Sequence, residues 1–386
     1  MVRRVLVAAL AAWGLIPGVA AAQRSVPPGF LGVVADRAAV DGTVPLETQM
    51  RLIRGVGAET VGLTFPWLEA QPYRSPDEVP PGEAGRFVAA ADGVPTDWSA
   101  IDARVAAAAR AGLRVHPVVI AAPPWARRNP AAEFSPPADP QRYAAFCAEL
   151  VRRYGPGGAF WAERPDLPRR EIRAWQLWNE PVGGDGDATP SVFWVDDDPF
   201  HVRFVPLMRA GHAAIKAVDP GATVVLGALV GQSWNTLQLL YDAGVRGTFD
   251  AVALHPYTAR PENVVRIVRL VRRTMARNGD GALPIQITEL GWPAFDAPDV
   301  VRLGRRQAAR AQEAWLAETF TRLARARREL GLELVLWYTW IGRDRSERDA
   351  FDHSGLLRLD GGRLVAKPAL GAFTDVARAI ARGWIR

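Results

Sequence analysis

Cysteine is almost absent from this chain: Cys147 is the only one in 386 residues. An internal disulfide is excluded, and so is a Cys-based metal site. Cys147 falls inside an expected helical stretch, Tyr143 to Tyr154, where a packed thiol is the simple expectation. Lysine is nearly as scarce, with Lys216 and Lys367 alone, so the net charge of +6 is carried by arginine. Those arginines are spread over several expected helices. No basic cluster interleaves with aromatic residues, so no nucleic-acid partner is expected. Past the first 22 residues there is no apolar run long enough to span a bilayer. The chain also lacks a His/Cys metal set, a glycine-rich phosphate cradle and a serine nucleophile elbow, so no metal and no cofactor are expected.

What is present is a large apolar fraction, 49% of the residues, enough to bury a sizeable core. The length fits one large domain or two ordinary ones. No linker with a shift in composition divides it, so a single domain over 23–386 is expected. Residues 1–22 read as a secretory signal peptide. Arg3 and Arg4 precede the apolar run Val5 to Ile16, and Ala20-Ala21-Ala22 offers a small-residue cleavage site before Gln23. An uncleaved anchor would begin the same way. The expectation is a secreted or periplasmic protein with no membrane segment after cleavage, acting as a monomer.

Eight strands alternate with eight helices along the sequence. Strands are expected at 29–36, 60–65, 113–120, 172–178, 223–230 and 249–254. A seventh runs from Ile285 toward Glu289, and an eighth covers 332–340. Helices are expected at 45–56, 97–111, 142–154, 200–218, 237–243, 261–277, 305–330 and 368–381. Asp97 is the expected N-cap of the second helix and Gly112 its stop. Most of the strands are continuous apolar runs, as strands buried on both faces should be. Strand–helix alternation implies a parallel sheet, and eight units imply a closed (β/α)8 TIM barrel. A doubly wound open sheet is the alternative. It would carry a glycine-rich loop after its first strand, where this chain has Asp36-Arg37-Ala38-Ala39. The connections after the second, third, fourth and eighth strands are long and rich in Pro, Trp and Asp. In a barrel they lie together on the C-terminal face, where active sites form.

Two stretches share one form. Trp175-Gln176-Leu177-Trp178-Asn179-Glu180-Pro181 ends an apolar strand in a carboxylate and a proline. Ile285-Gln286-Ile287-Thr288-Glu289-Leu290-Gly291-Trp292-Pro293 does the same. Either glutamate alone could be a strand-end residue paired with an arginine. Two of them at the mouth of one barrel suit cleavage of a glycosidic bond. One carboxyl must be protonated to donate to the leaving oxygen, and the other ionised to attack the anomeric carbon. Nearby like charges push one of two such pKa values up. A separation of about 5 Å gives retention of configuration, and a wider one inversion.

Trp178-Asn179-Glu180-Pro181 resembles the Asn-Glu-Pro signature of the large clan of retaining (β/α)8 glycoside hydrolases. Thr288-Glu289-Leu290-Gly291-Trp292 is similar to that clan's nucleophile segment. The resemblance follows strand order over essentially the whole of 23–386. It implies that Glu180 is the acid/base and Glu289 the nucleophile, with Asn179 hydrogen-bonded to the sugar 2-hydroxyl. His255-Pro256-Tyr257 matches the clan's His-x-Tyr pattern, implying that Tyr257 hydrogen-bonds the nucleophile and His255 lines the sugar site; a packed strand-end pair is the bland alternative. Trp337-Tyr338 resembles the clan's aromatic platform for a sugar ring, with Trp340 as a competitor. Trp125 and Trp292 are expected as cleft walls, although each could equally be core. Ser354-Gly355-Leu356-Leu357, Asp360-Gly361 and Lys367-Pro368-Ala369 resemble the tail of the cellulase-like and family 39-like members, and are expected to seat the last helix. The implied partner is a carbohydrate, a β-linked polysaccharide or oligosaccharide. A sugar-binding protein without turnover and a transglycosylase would share the fold and the residues.

His116 precedes Pro117 well inside the third strand and is expected to be a core histidine. Asp185, Asp187 and Asp196 to Asp198 lack the ligand spacing of a calcium loop, so a solvated acidic loop is expected there.

Overall fold

The computed structural model describes residues 24–36, 42–183, 191–294, 305–345 and 349–385. The proposed signal segment, Asp185 and Asp187 lie outside them. Eight parallel strands close into a barrel: β1 (Leu31–Val34), β2 (Thr60–Pro66), β3 (Arg114–Ile120), β4 (Ala174–Asn179), β5 (Thr223–Val230), β6 (Ala251–His255), β7 (Ile285–Ile287) and β8 (Leu332–Trp337). Each pairs with its neighbours in sequence, and β1 pairs with β8 through Leu31↔Val335 to Val33↔Trp337. The fold is a (β/α)8 TIM barrel, as the strand–helix alternation implied.

Eight principal helices follow the strands: α1 (Leu46–Gly55), α2 (Ser99–Arg110), α3 (Pro140–Tyr154), α4 (Phe200–Val218), α5 (Ser233–Asp242), α6 (Pro261–Arg277), α7 (Arg305–Leu330) and α8 (Pro368–Ala381). Helix α3 starts as its sequence dictates. Pro140 occupies the first turn, and Asp139 accepts from the Gln141 N–H at 2.8 Å. Helix α2 starts at Ser99 with Trp98, not the expected Asp97, in the N-cap position; Asp97 sits one residue earlier and carries two bonds. Its carboxylate takes the Ser99 N–H at 2.9 Å and the Arg86 guanidinium at 2.6 Å. Gly112, at φ +73°, ends that helix as expected.

Period-two alternation divides the strand side chains between two cores. On β8, Leu334 and Leu336 join Val34 and Tyr338 inside the barrel. Val335 and Trp337 belong to the large outer cluster between sheet and helices. Strand β4 breaks the alternation at its end. Leu177 and Trp178 both pack in the outer cluster, and Trp178 has φ +66°. That turn brings both Asn179 and Glu180 to the barrel mouth. The chain closes with a small sheet, 341–342, 357–360 and 363–366, before α8. In it Lys367 donates to Asp344 at 2.7 Å and to the His353 carbonyl at 2.9 Å, which seats the last helix.

Candidate active site

At the C-terminal face a cavity of about 520 Å³ opens over the barrel. Its lining includes Asp36, His116, Asn179, Glu180, His255, Thr288, Glu289 and Tyr338, with Phe134, Phe193 and Phe351 around them. Strands β1, β4, β6, β7 and β8 thus each bring a polar or aromatic group there at or near their ends, and β3 brings His116 from within the strand. A volume of this size suits one or two small rings.

Glu180 and Glu289 meet over this floor. One carboxylate oxygen of each and a ring nitrogen of His255 lie within 4.8 Å of one another. His255 Nδ1 is 2.5 Å from Glu180 Oε1 and 3.5 Å from Glu289 Oε2, and its Nε2 is 3.1 Å from the Thr288 hydroxyl. Tyr257 donates its phenol to Glu289 Oε2 at 2.9 Å. Backbone bonds fix Glu180: its N–H donates to the Ala228 carbonyl at 3.1 Å, and its own carbonyl accepts from the Ser191 hydroxyl.

Burial and charge compete here. Burial pushes the Glu289 carboxyl up to about 7; Glu180 and Asp36 add to the rise, while the His255 charge and the Tyr257 bond oppose it. Burial alone would lower His255, but the charges of Glu289 and Glu180 and the bond to Glu180 outweigh it, so its pKa is raised. Burial, with the Glu289 charge second, holds the Tyr257 phenol far above its ordinary range, so it stays a donor. The site therefore keeps a proton into the neutral range between two carboxyls bridged by an imidazole. That suits acid–base and nucleophilic work by a carboxyl pair. Two carboxylates and an imidazole with one ligand atom each this close together could also ligate a cation.

The structure thus brings together Glu180, Glu289, Asn179, His255 and Tyr257. It does not bring the three tryptophans there. Trp337 is fully buried outside the barrel, donates to the Ser354 carbonyl at 2.9 Å and packs on Trp292 and Phe320. Its parity on β8 sends it outward and its neighbour Tyr338 inward. Trp292 is likewise buried, and its indole donates to the Thr258 carbonyl at 2.7 Å. Trp125 is half-buried against Trp67, bonded to the Gln71 carbonyl, and is not part of the lining. Trp340, the competitor, is also fully buried. The aromatic walls are phenylalanines instead. Phe134 and Phe193 pack edge-to-face at 5.1 Å on one side. Across the ring, Phe351 packs on Tyr257 at 5.0 Å and Tyr338 at 5.8 Å.

Other members of the site gave little or no sequence signal. Asp36 follows β1 and accepts from the Tyr338 phenol and the Thr339 hydroxyl, each at 2.9 Å. Only its position after the first strand could have marked it. His116 is buried, as expected of a core histidine, yet the core it joins is the cavity floor. Arg104 reaches the rim and is paired with Glu69 at 2.7 Å. In the acidic loop, Asp196 and Asp198 are held by Arg128 and Arg203 rather than left to solvent.

Solved structures with the same fold include a family 39 glycoside hydrolase from Bacteroides cellulosilyticus WH2. It is 20% identical, with a TM-score of 0.61 over 91% of this chain and 63% of that one. A monomeric β-xylosidase from Caulobacter crescentus CB15 is 18% identical, with a TM-score of 0.61 over 92% of this chain and 69% of that one. A GH5_18 protein from Bifidobacterium longum subsp. longum, in complex with Manβ1-4GlcNAc, is 15% identical, with a TM-score of 0.60 over 90% of this chain and 78% of that one. This chain spans less than two thirds of the Bacteroides enzyme's length. At these identities the likeness is one of fold. No protein-family model and no curated protein matches the sequence.

Proposed function

We propose that this chain is a secreted glycoside hydrolase that cleaves β-linked oligosaccharide or polysaccharide with retention of configuration. One observation carries this reading: Glu180 and Glu289 bring carboxylate oxygens within 4.8 Å of each other at the floor of a cavity of sugar size. Oxygens this close fall short of the wide spacing at which an inverting pair seats its attacking water, and they suit attack by one of the carboxylates. The barrel neighbours described as family 39 and family 5 glycoside hydrolases support the same chemistry. Secretion rests on residues 1–22.

Glu180 takes up the proton held between the two carboxyls and gives it to the departing oxygen, while Glu289, ionised by that shift, attacks the anomeric carbon. The bond to the leaving group breaks as the glycosyl–Glu289 ester forms. Glu180, now ionised, takes a proton from water, which hydrolyses the ester with a second inversion. Tyr257 holds the attacking carboxylate in place by donating to it. His255 lies 2.5 Å from Glu180 and 3.5 Å from Glu289, and against the lowering by burial their charges raise its pKa.

The test is a 2-deoxy-2-fluoro glycoside bearing a good leaving group, drawn from xylose, glucose and mannose. Peptide mass spectrometry is expected to find the trapped sugar on Glu289, and Glu289→Ala is expected to abolish turnover of aryl glycosides. Release of the inverted anomer by NMR, or a label on any other residue, would overturn the assignment.

A further inference from the structure

Behind Asn179 the barrel floor holds a directional chain of hydrogen bonds. Gln176 is fully buried, and its amide nitrogen donates to the Trp178 carbonyl at 3.1 Å. A carbonyl can only accept, so this bond fixes which way the Gln176 amide points. The second hydrogen of that nitrogen goes to Asn179 Oδ1 at 3.3 Å. The Gln176 carbonyl oxygen faces His116 Nε2 at 3.4 Å, which must therefore carry a hydrogen. Burial pushes His116 down to about 4, and the neighbouring His255 charge adds to this, so the imidazole is neutral with its proton on Nε2. With Oδ1 of Asn179 occupied from below, its NH2 is the group left to the cavity.

We infer that Gln176, backed by His116, is a positioning residue that locks the Asn179 amide with its NH2 toward the cavity, where the resemblance to the retaining barrel hydrolases implies the sugar's 2-hydroxyl. The inference rests on the proposed hydrolase reading for its ligand, but the relay itself is a property of the floor. Fixing the amide in advance removes the choice between donating and accepting, and a bond to the 2-hydroxyl then costs no reorganisation when it tightens in the transition state.

Gln176→Glu tests it. A carboxylate accepts only, so Asn179 must turn its NH2 down to Glu and present Oδ1 to the sugar. The readout is the ratio of kcat/KM for an aryl β-glycoside to that of its 2-deoxy analogue, taken from whichever of xyloside, glucoside or mannoside turns over. In the unmodified protein the ratio is expected at about 100 or more, and in the variant about 10-fold lower, because the 2-hydroxyl must then turn to donate to Oδ1 instead of accepting from the NH2. Gln176→Met, which removes both amide groups without burying a charge, is expected to lower the ratio about 10-fold and serves if the glutamate variant does not fold. An unchanged ratio, or equal losses on both substrates, overturns the relay. If no aryl glycoside turns over, the hydrolase reading fails by itself. The relay is then decided by NMR of the Asn179 side-chain amide: its NH2 resonances are expected to move in Gln176→Glu and in Gln176→Met alike, and unmoved resonances overturn the inference.

Discussion

At the scale of single residues, the pair at the barrel mouth bears a stability cost. The Glu289 carboxyl is raised from its ordinary value to about 7, chiefly by burial. A raised carboxyl binds more protons in the native state than in the unfolded one, so between about 4.5 and about 7 stability falls as pH rises. Glu289→Gln removes the charge and keeps an oxygen for the Tyr257 phenol. The variant is expected to be more stable than the parent at pH 8, by about 1–3 kcal/mol, with the gap closing by pH 4. His255 loses one of its two partners in the variant, which trims the gain. Urea melts at the two pH values read it directly, and a variant no more stable at pH 8 than the parent refutes the account. Both glutamates were legible in the sequence because an apolar strand ending in a carboxylate has few bland explanations when it occurs twice. Trp337 was misplaced because the residue pair was read without its parity. Leu334 and Leu336 face inward, so Tyr338 does too and Trp337 cannot.

At the scale of elements, the end of β4 depends on β5. Gly227 lies opposite Trp178, between the pairs Leu177↔Leu226 and Asn179↔Ala228. A Cβ there would come within 2.4 Å of the Leu177 carbonyl oxygen and 3.1 Å of the Trp178 carbonyl carbon, both backbone atoms that cannot swing aside. Gly227→Ala therefore pushes on the turn that aims Asn179 and Glu180. Activity is expected to fall about 100-fold, more than stability suffers, because small misplacements of reacting groups are costly. Kinetics alongside a thermal melt would separate the two; wild-type turnover in the alanine variant would show that the contact is slack. The strands and helices themselves were legible to within a few residues, since each is a run of one periodicity between turn residues. The positive φ of Trp178 was not legible, because it goes with contacts that exist only in the fold: Gly227 on the neighbouring strand, and the Trp178 ring packed on Tyr143 and Trp194.

At the scale of the whole molecule, ring closure decides which loops meet. The loops after β3 and β4 supply Phe134 and Phe193, and the loop after β8, which stands across the ring from β4, supplies Phe351. The long loops were legible as the functional face, but their walls were not, because no local pattern says which side chain of a proline-rich loop turns inward once the ring closes. Hydrogen bonds tie the first wall together: the Val195 N–H donates to the Phe134 carbonyl at 3.1 Å, and the Trp178 indole donates to the Phe193 carbonyl at 2.6 Å. Phe134 and Phe193 thus form one surface, while Phe351 rests on Tyr257 and Tyr338 as a separate one. Alanine at Phe193 or at Phe351 is expected to raise KM about 10-fold with little change in kcat, the loss of one ring face for a sugar. The pairing then fixes additivity. Removing Phe134 as well as Phe193 should cost clearly less than the sum of the single losses, since either deletion already breaks the wall. Removing Phe193 and Phe351 together should cost the sum, since they share no contact. Steady-state kinetics on the five variants and the parent read both cycles, and coupling between Phe193 and Phe351 as strong as within the Phe134–Phe193 pair would mean that the walls do not act as two.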